Sequence, residues 1–163
     1  LSKDEQELYW NSNTALTFHG TRSINTSGIL REGFRFPKEL VNVTINYAAL
    51  GGGNYQADDY KKSCGYCSHP NARWSGGVGV STGMVKNRRS FMFACDTIIG
   101  NPHTAPEVYG YTAPPKGHHS VFGKGGFTKT DPAVWHETHL LNNEWVVYSK
   151  GRVAIRYLAE IDW

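Results

Sequence analysis

The nine residues from Phe91 to Ile99, FMFACDTII, constrain the fold most: nearly every position is apolar or β-branched, so neither face of the segment suits water. A strand of this kind needs cover on both faces, and the rest of the chain must supply it. Thr14 to His19 reads as a second strand, with Leu16 and Phe18 forming its apolar face and a tight turn at Gly20. Asn143 to Tyr148 and Arg152 to Ile161 read as two more, β-branched on both arms and joined as a hairpin around Ser149 to Gly151. Helical patterns are short. Ser23 to Glu32 has Ile24, Ile29 and Leu30 on its expected buried side and Gly33 where a left-handed C-terminal cap belongs, and Ser2 with Glu5 forms a capping box for a helix running to Trp10. Several strands with a few short helices, and no repeated βαβ series, predict an α+β fold.

At 163 residues the chain reads as a 1–13 leader segment followed by one domain over 14–163, large enough to bury about two thirds of its unfolded surface. With 17 basic against 14 acidic residues the net charge is +3, too mild for a duplex nucleic-acid binder but sufficient to hold a dinucleotide's phosphates. Cys64, Cys67 and Cys95 are an odd set that cannot pair completely, which favours a reducing compartment, nucleus or cytoplasm. No apolar run approaches the ~20 residues of a membrane span. Pro37 to Leu50 and the proline- and glycine-dense Pro102 to Gly126 read mostly as loop, the first placed to close over a ligand, and Cys67 to Arg89 is an irregular insert without an assigned element.

Chemistry concentrates at three places. Gly51 to Tyr66, GGGNYQADDYKKSCGY, is a glycine-softened turn, a tyrosine and an acidic helix start, predicted to bring Ser63 and Tyr66 to the side of Tyr55. Two aromatic faces with a hydroxyl beside them suit an aromatic amide, although the same tyrosines also serve a packed core. His19-Gly20-Thr21-Arg22 stands at a strand end, where a residue without a side chain lets the backbone pair with a carboxamide while the imidazole donates to a ribose hydroxyl. Glu144 opens the otherwise apolar WVVY strand, so its carboxylate either reaches solvent at a sheet edge or serves a site.

These stretches resemble the catalytic domains of the poly(ADP-ribose) polymerase family. The central stretch is similar to GxGxYFAxxxSKSxxY, matching at Tyr55, Ala57, Asp58, Lys62, Ser63 and Tyr66, with Asn54 and Gln56 where the family usually has apolar residues. FHGTR, Asn25 and GILREGF resemble HG(S/T)R…N..GIL..G, PPKGHHSVFGK resembles PKGKHSVKG, and NEWVVY resembles NEY(I/V)VY with Trp145 for tyrosine. The resemblance covers about Thr17 to Ile161 in the right order. It implies a mainly antiparallel two-sheet ADP-ribosyltransferase fold of the diphtheria-toxin-like kind, NAD as co-substrate, and a His19, Tyr55 and Glu144 triad. It further implies Gly20 and Ser63 on the nicotinamide amide, Tyr66 on its ring, Thr21, Asn25, Gly28 and Arg35 along the adenosine side, and Lys62 on the acceptor side. The acceptor would be a protein or nucleic acid, and the unit a monomeric catalytic domain within a longer chain.

The insert from Cys67 to Arg89, Asn142 where some members have tyrosine, and the small Ala48 depart from the family and bear on polymer elongation, for which the retained Glu144 and Lys62 speak. Cys64, Cys67 and His69 invite a zinc reading, but only three candidate ligands cluster there, and no metal is expected. Two alternatives stand beside transfer. One is a module of the same fold that holds NAD or ADP-ribose without turnover, and the other an RNA 2′-phosphotransferase, against which Glu144 counts.

Overall fold

The structure is a computed structural model that describes residues 3, 13–36, 39, 49–67, 89–107, 109–126 and 140–162. The expected capping box, nearly all of the leader, most of the 37–50 loop and nearly all of the 67–89 insert lie outside the described residues. The described chain runs β1 (Thr14–Gly20), α1 (Ser23–Glu32), β2 (Asn54–Gln56), α2 (Tyr60–Cys64), β3 (Ser90–Ile98), β4 (Pro102–Thr104), β5 (Ser120–Gly123), β6 (Glu144–Val147), a 3-10 turn (Lys150–Arg152) and β7 (Val153–Ile161). Among these residues there are two sheets, one ordered β1-β3-β7 and one β2-β6-β5-β4, antiparallel except where β4 meets β5. This is the expected α+β, two-sheet architecture.

β3 is the strand that the apolar run requires: it is central, flanked by β1 and β7, with Met92, Phe93, Cys95 and Ile98 all buried. Phe93 and Cys95 pack under Phe34, with Ile29 from α1 and Val153 and Ile155 from β7 closing that core. A second core lies on the other sheet, where Leu50, Ala105, Val121 and Val146 gather with Tyr55, Tyr111, Leu140 and Tyr148.

Four expectations change. β6 and β7 do not form a hairpin: the turn at Lys150 to Arg152 carries the chain from one sheet to the other, so each arm satisfies its ladder with a different partner. The buried position of β1 is Thr17, not Leu16, which is 56% exposed, because Thr17 has polar partners between the sheets. Ile24 and Leu30 are likewise exposed on α1, whose buried residue is Thr26, with Ile29 turned to the core. Finally, the 102–126 stretch contributes two strands, including β5 at the interior of its sheet. Gly33 does take a positive φ of 74°, its N–H capping α1 on the Ile29 carbonyl.

The two sheets are joined where β2 changes partner. Its three residues pair with β6, Tyr55 opposite Val146 and Gln56 opposite Trp145. At Ala57 the backbone turns to β1 instead: the Phe18 N–H donates to the Ala57 carbonyl at 2.7 Å and the Ala57 N–H to the Phe18 carbonyl at 2.9 Å. A buried polar chain reinforces this junction. Thr17 Oγ1 donates to Gln56 Oε1 at 3.0 Å, lies 2.8 Å from Thr97 Oγ1, and Gln56 Nε2 donates to Asn54 Oδ1 at 2.7 Å. Asn54 and Gln56 are thus buried with their hydrogen bonds made, which removes the desolvation penalty their polarity would otherwise carry.

Candidate active site

The site grows out of that junction. At the end of β1, His19 packs edge-on against Phe34, ring centroids 4.7 Å apart, and its Nδ1 stands 2.8 Å from the Tyr55 carbonyl oxygen. A carbonyl only accepts, so Nδ1 carries the proton. Burial lowers the His19 pKa, with the Tyr55 hydrogen bond opposing, and the ring is neutral at pH 7. Nε2 then offers a lone pair, so at that nitrogen His19 is an acceptor where the sequence alone suggests that it donates.

Next to it, Gly20 meets α2 with no space to spare. A Cβ on Gly20 would lie 1.7 Å from the Ser63 carbonyl oxygen and 3.1 Å from Tyr66 Cβ. The requirement for glycine here is therefore strand-to-helix contact. α2 is capped by Asp59, whose carboxylate accepts from the Lys61 N–H at 2.8 Å; its short length and the turn that follows bring Lys62, Ser63 and Tyr66 to β1 and β6. The Ser63 hydroxyl donates to the Phe18 carbonyl at 2.9 Å, leaving its oxygen lone pairs to accept from an amide N–H.

Tyr55 and Glu144 share a face of the second sheet, since Tyr55 is directly opposite Val146, and Glu144 lies two residues along from it. The Tyr55 hydroxyl accepts from the Leu50 N–H at 2.8 Å and donates to the Gly51 carbonyl at 2.9 Å, which pins the glycine turn. Tyr148 adds a hydrogen bond to the Leu50 carbonyl at 2.7 Å. Burial raises the pKa of Tyr55, Tyr66 and Tyr148, and the Glu144 charge raises it further at Tyr55 and Tyr66, so all three are neutral phenols.

Glu144 is 9% exposed and forms an ion pair with the Lys62 ammonium. Burial lowers the Lys62 pKa, while the Glu144 carboxylate, and then Asp58, pull it back up. A buried carboxylate paired with a largely buried cation fits a group held for a task, since such a pair gains little net stability. Thr21 accepts from Asn25 Nδ2 at 3.1 Å at the entrance to α1. Gly28 has open space where a side chain would project, and Arg35 pairs with Glu32 at the surface. Thus His19, Gly20, Ser63, Tyr55, Tyr66, Lys62 and Glu144 converge, Thr21 and Asn25 stand beside them, and Gly28 and Arg35 are not drawn into the cluster. Asn143 and Asp58 are joined by a hydrogen bond of 2.7 Å; the sequence marks Asp58 only as a motif match and gives neither residue a role.

The three thiols are free. Burial pushes Cys67 up to about 11 and Cys95 to about 12, so neither is a thiolate at pH 7. Among the described residues, no group of three His, Cys, Asp or Glu side chains is placed to hold a metal ion; His69 lies outside them.

Comparison with known proteins matches residues 2–163 to the family described as the poly(ADP-ribose) polymerase catalytic domain. The chain belongs to the poly(ADP-ribose) polymerase family. The family is that of poly(ADP-ribose) polymerase catalytic domains, and the two-sheet α+β fold is the one that the motifs implied. It is 30% identical to poly [ADP-ribose] polymerase 1 of Xenopus laevis and to that of Danio rerio, over 91% of this chain. It is 27% identical to poly [ADP-ribose] polymerase 2-B of Oryza sativa subsp. japonica, over 93%. The chain spans about 15% of the length of the first two relatives and 26% of the third.

Proposed function

We propose that this polymerase-family domain transfers ADP-ribose from NAD to a protein or nucleic-acid acceptor, with Glu144 acting on the ribose and the His19–Gly20, Ser63 and Tyr66 group holding nicotinamide. The observation that carries the reading is the convergence of a neutral His19, a buried Glu144 paired with Lys62, and the Gly20–Ser63 contact at one junction between the sheets.

The Gly20 backbone and the Ser63 hydroxyl suit the carboxamide, and the Tyr66 and Tyr55 faces suit the flat ring. His19 Nε2 accepts from a ribose hydroxyl, which fixes the sugar. Breaking the C1′–N bond sends its electron pair to nicotinamide and leaves positive charge on the ribose. The Glu144 carboxylate, accepting from the 2′-hydroxyl, interacts more strongly with that state than with ground-state NAD, which is the condition for lowering a barrier. An acceptor oxygen or nitrogen then bonds to C1′ and gives up its proton to water. Lys62 holds Glu144 until NAD arrives. The retained Glu144 and Lys62 favour repeated transfer onto a growing ADP-ribose chain, and Thr21 and Asn25 line the adenosine side.

The domain works within a longer protein, inside the cell in the nucleus or cytoplasm, where free thiols persist. Among the described residues no helix is long and apolar enough to cross a membrane. The test is direct: the protein with labelled NAD releases nicotinamide and labels itself or an added protein or nucleic acid. If it binds NAD and does neither, the non-catalytic reading replaces this one.

A further inference from the structure

We infer that Asn143 and Asp58 are a positioning pair for Glu144, a side-chain clamp that continues the sheet where the backbone ladder stops. The inference rests on the transfer reading for its consequence but on geometry for its existence.

Glu144 is the first residue of β6, and strand ends fray unless tied. On one side it is paired with Gly123, the last residue of β5. On the other side β2 stops pairing at Gln56 opposite Trp145, because Ala57 gives both its backbone groups to Phe18 of β1. Glu144 would thus begin its strand without a ladder partner on the β2 side. Extending the register by two steps puts Asp58 opposite Asn143. There the side chains take over: Asn143 Nδ2 donates to Asp58 Oδ2 at 2.7 Å. The same amide works the other edge too, its Oδ1 accepting from the Gly125 N–H at 2.9 Å, beyond the point where β5 ends.

One side chain therefore ties the entry of β6 to both neighbours. The second tie is tight, since a Cβ on Gly125 would lie 2.5 Å from the Asn143 nitrogen and 2.1 Å from the Asn142 carbonyl carbon. Gly126 extends it with a hydrogen bond to the Leu140 carbonyl at 3.2 Å. Asp58 also acts through charge, because among the described residues it and Glu144 both act on the Lys62 ammonium. The clamp accordingly fixes the backbone that carries the carboxylate and helps hold the cation that it pairs with. Asp58 is exposed, so its hydrogen bond adds little to global stability, and its effect is on orientation.

The experiment uses Asn143→Leu, which keeps the branching of the side chain and removes both hydrogen bonds, Asp58→Ala at the exposed position, and the exchange Asn143→Asp with Asp58→Asn. In the exchange the amide placed at position 58 donates to the carboxylate placed at position 143, whose second oxygen still accepts from the Gly125 N–H. Each is read by NAD kinetics and by the 13C resonance of the Glu144 carboxylate. Expected are a loss of kcat of about tenfold or more in Asn143→Leu and Asp58→Ala, a KM for NAD within about threefold, a displaced Glu144 resonance, and recovery of both in the exchange. Unchanged kcat and resonance in Asp58→Ala, or an exchange that folds with native melting temperature and recovers neither, overturns the inference. If the unaltered protein releases no nicotinamide, the transfer reading fails, whereas the clamp is still decided by the resonance.

Discussion

Gly20→Ala is the smallest change that should dismantle the site. One methyl group at Gly20 would sit 1.7 Å from the Ser63 carbonyl oxygen and 2.7 Å from its carbon, both backbone atoms of α2. Heavy atoms do not approach a real Cβ within 3.0 Å, so strand and helix must separate by more than an ångström, and no side-chain rotation relieves the clash. That movement pulls apart the groups proposed to hold the carboxamide: the Gly20 backbone and Ser63, whose hydroxyl is tied to Phe18 of the same strand. Forced overpacking of this kind costs about 1–3 kcal/mol. For a domain of this size that corresponds to a fall in Tm of roughly 2–12 °C. The assay is a thermal shift with and without 3-aminobenzamide. The native protein should gain Tm with the compound, by linkage about 2.7 kcal/mol at 100 times Kd, and Gly20→Ala should be less stable and lose that gain. A variant that keeps native Tm and the full gain would refute both the steric reasoning and the location of the amide site.

Two further outcomes follow from buried groups. Thr17→Val removes the hydroxyl that joins Gln56 to Thr97 and leaves the buried Gln56 oxygen without this donor, which should cost about 1–3 kcal/mol in denaturant unfolding; adding Gln56→Leu should recover part of it, and additive losses would contradict the network. His19 is neutral when folded and has its ordinary pKa of 6.5 when unfolded, so the unfolded chain binds the extra proton as pH falls below about 6.5. Its contribution to stability is therefore present above that pH and lost below it, by up to about 1.4 kcal/mol per pH unit. The stability gap between native protein and His19→Gln should narrow from pH 7 to pH 5; a constant gap would mean that His19 is not held neutral.

How much of this is legible in the sequence depends on the range of the interactions. The apolar run at Phe91 to Ile99 announces a central strand because burial on both faces is written residue by residue, and the short helices announce themselves through caps and glycines. The motifs locate His19, Tyr55 and Glu144 because their order along the chain survives whatever the fold does between them. The expected β6–β7 hairpin does not form because a turn that joins two strands in one sheet looks, locally, like one that passes a strand to another sheet. Thr17 and Gln56 do not read as core because polar residues enter the interior only when partners distant in sequence satisfy them, here 39 residues apart. The tautomer of His19 is fixed by a carbonyl 36 residues away, which no local pattern encodes.

The measurement that bears most directly on the proposed chemistry is a comparison of Glu144→Gln with the native protein, reading nicotinamide release and label transfer from NAD against affinity for 3-aminobenzamide. Glutamine keeps the shape beside Lys62 but not the charge that the cationic ribose requires. Affinity should stay within about a few fold, transfer should fall by on the order of 100-fold or more, and product chain length should shorten. Equal transfer rates in the two proteins, with both folded and both binding the amide, would contradict the assignment of Glu144 to the reaction.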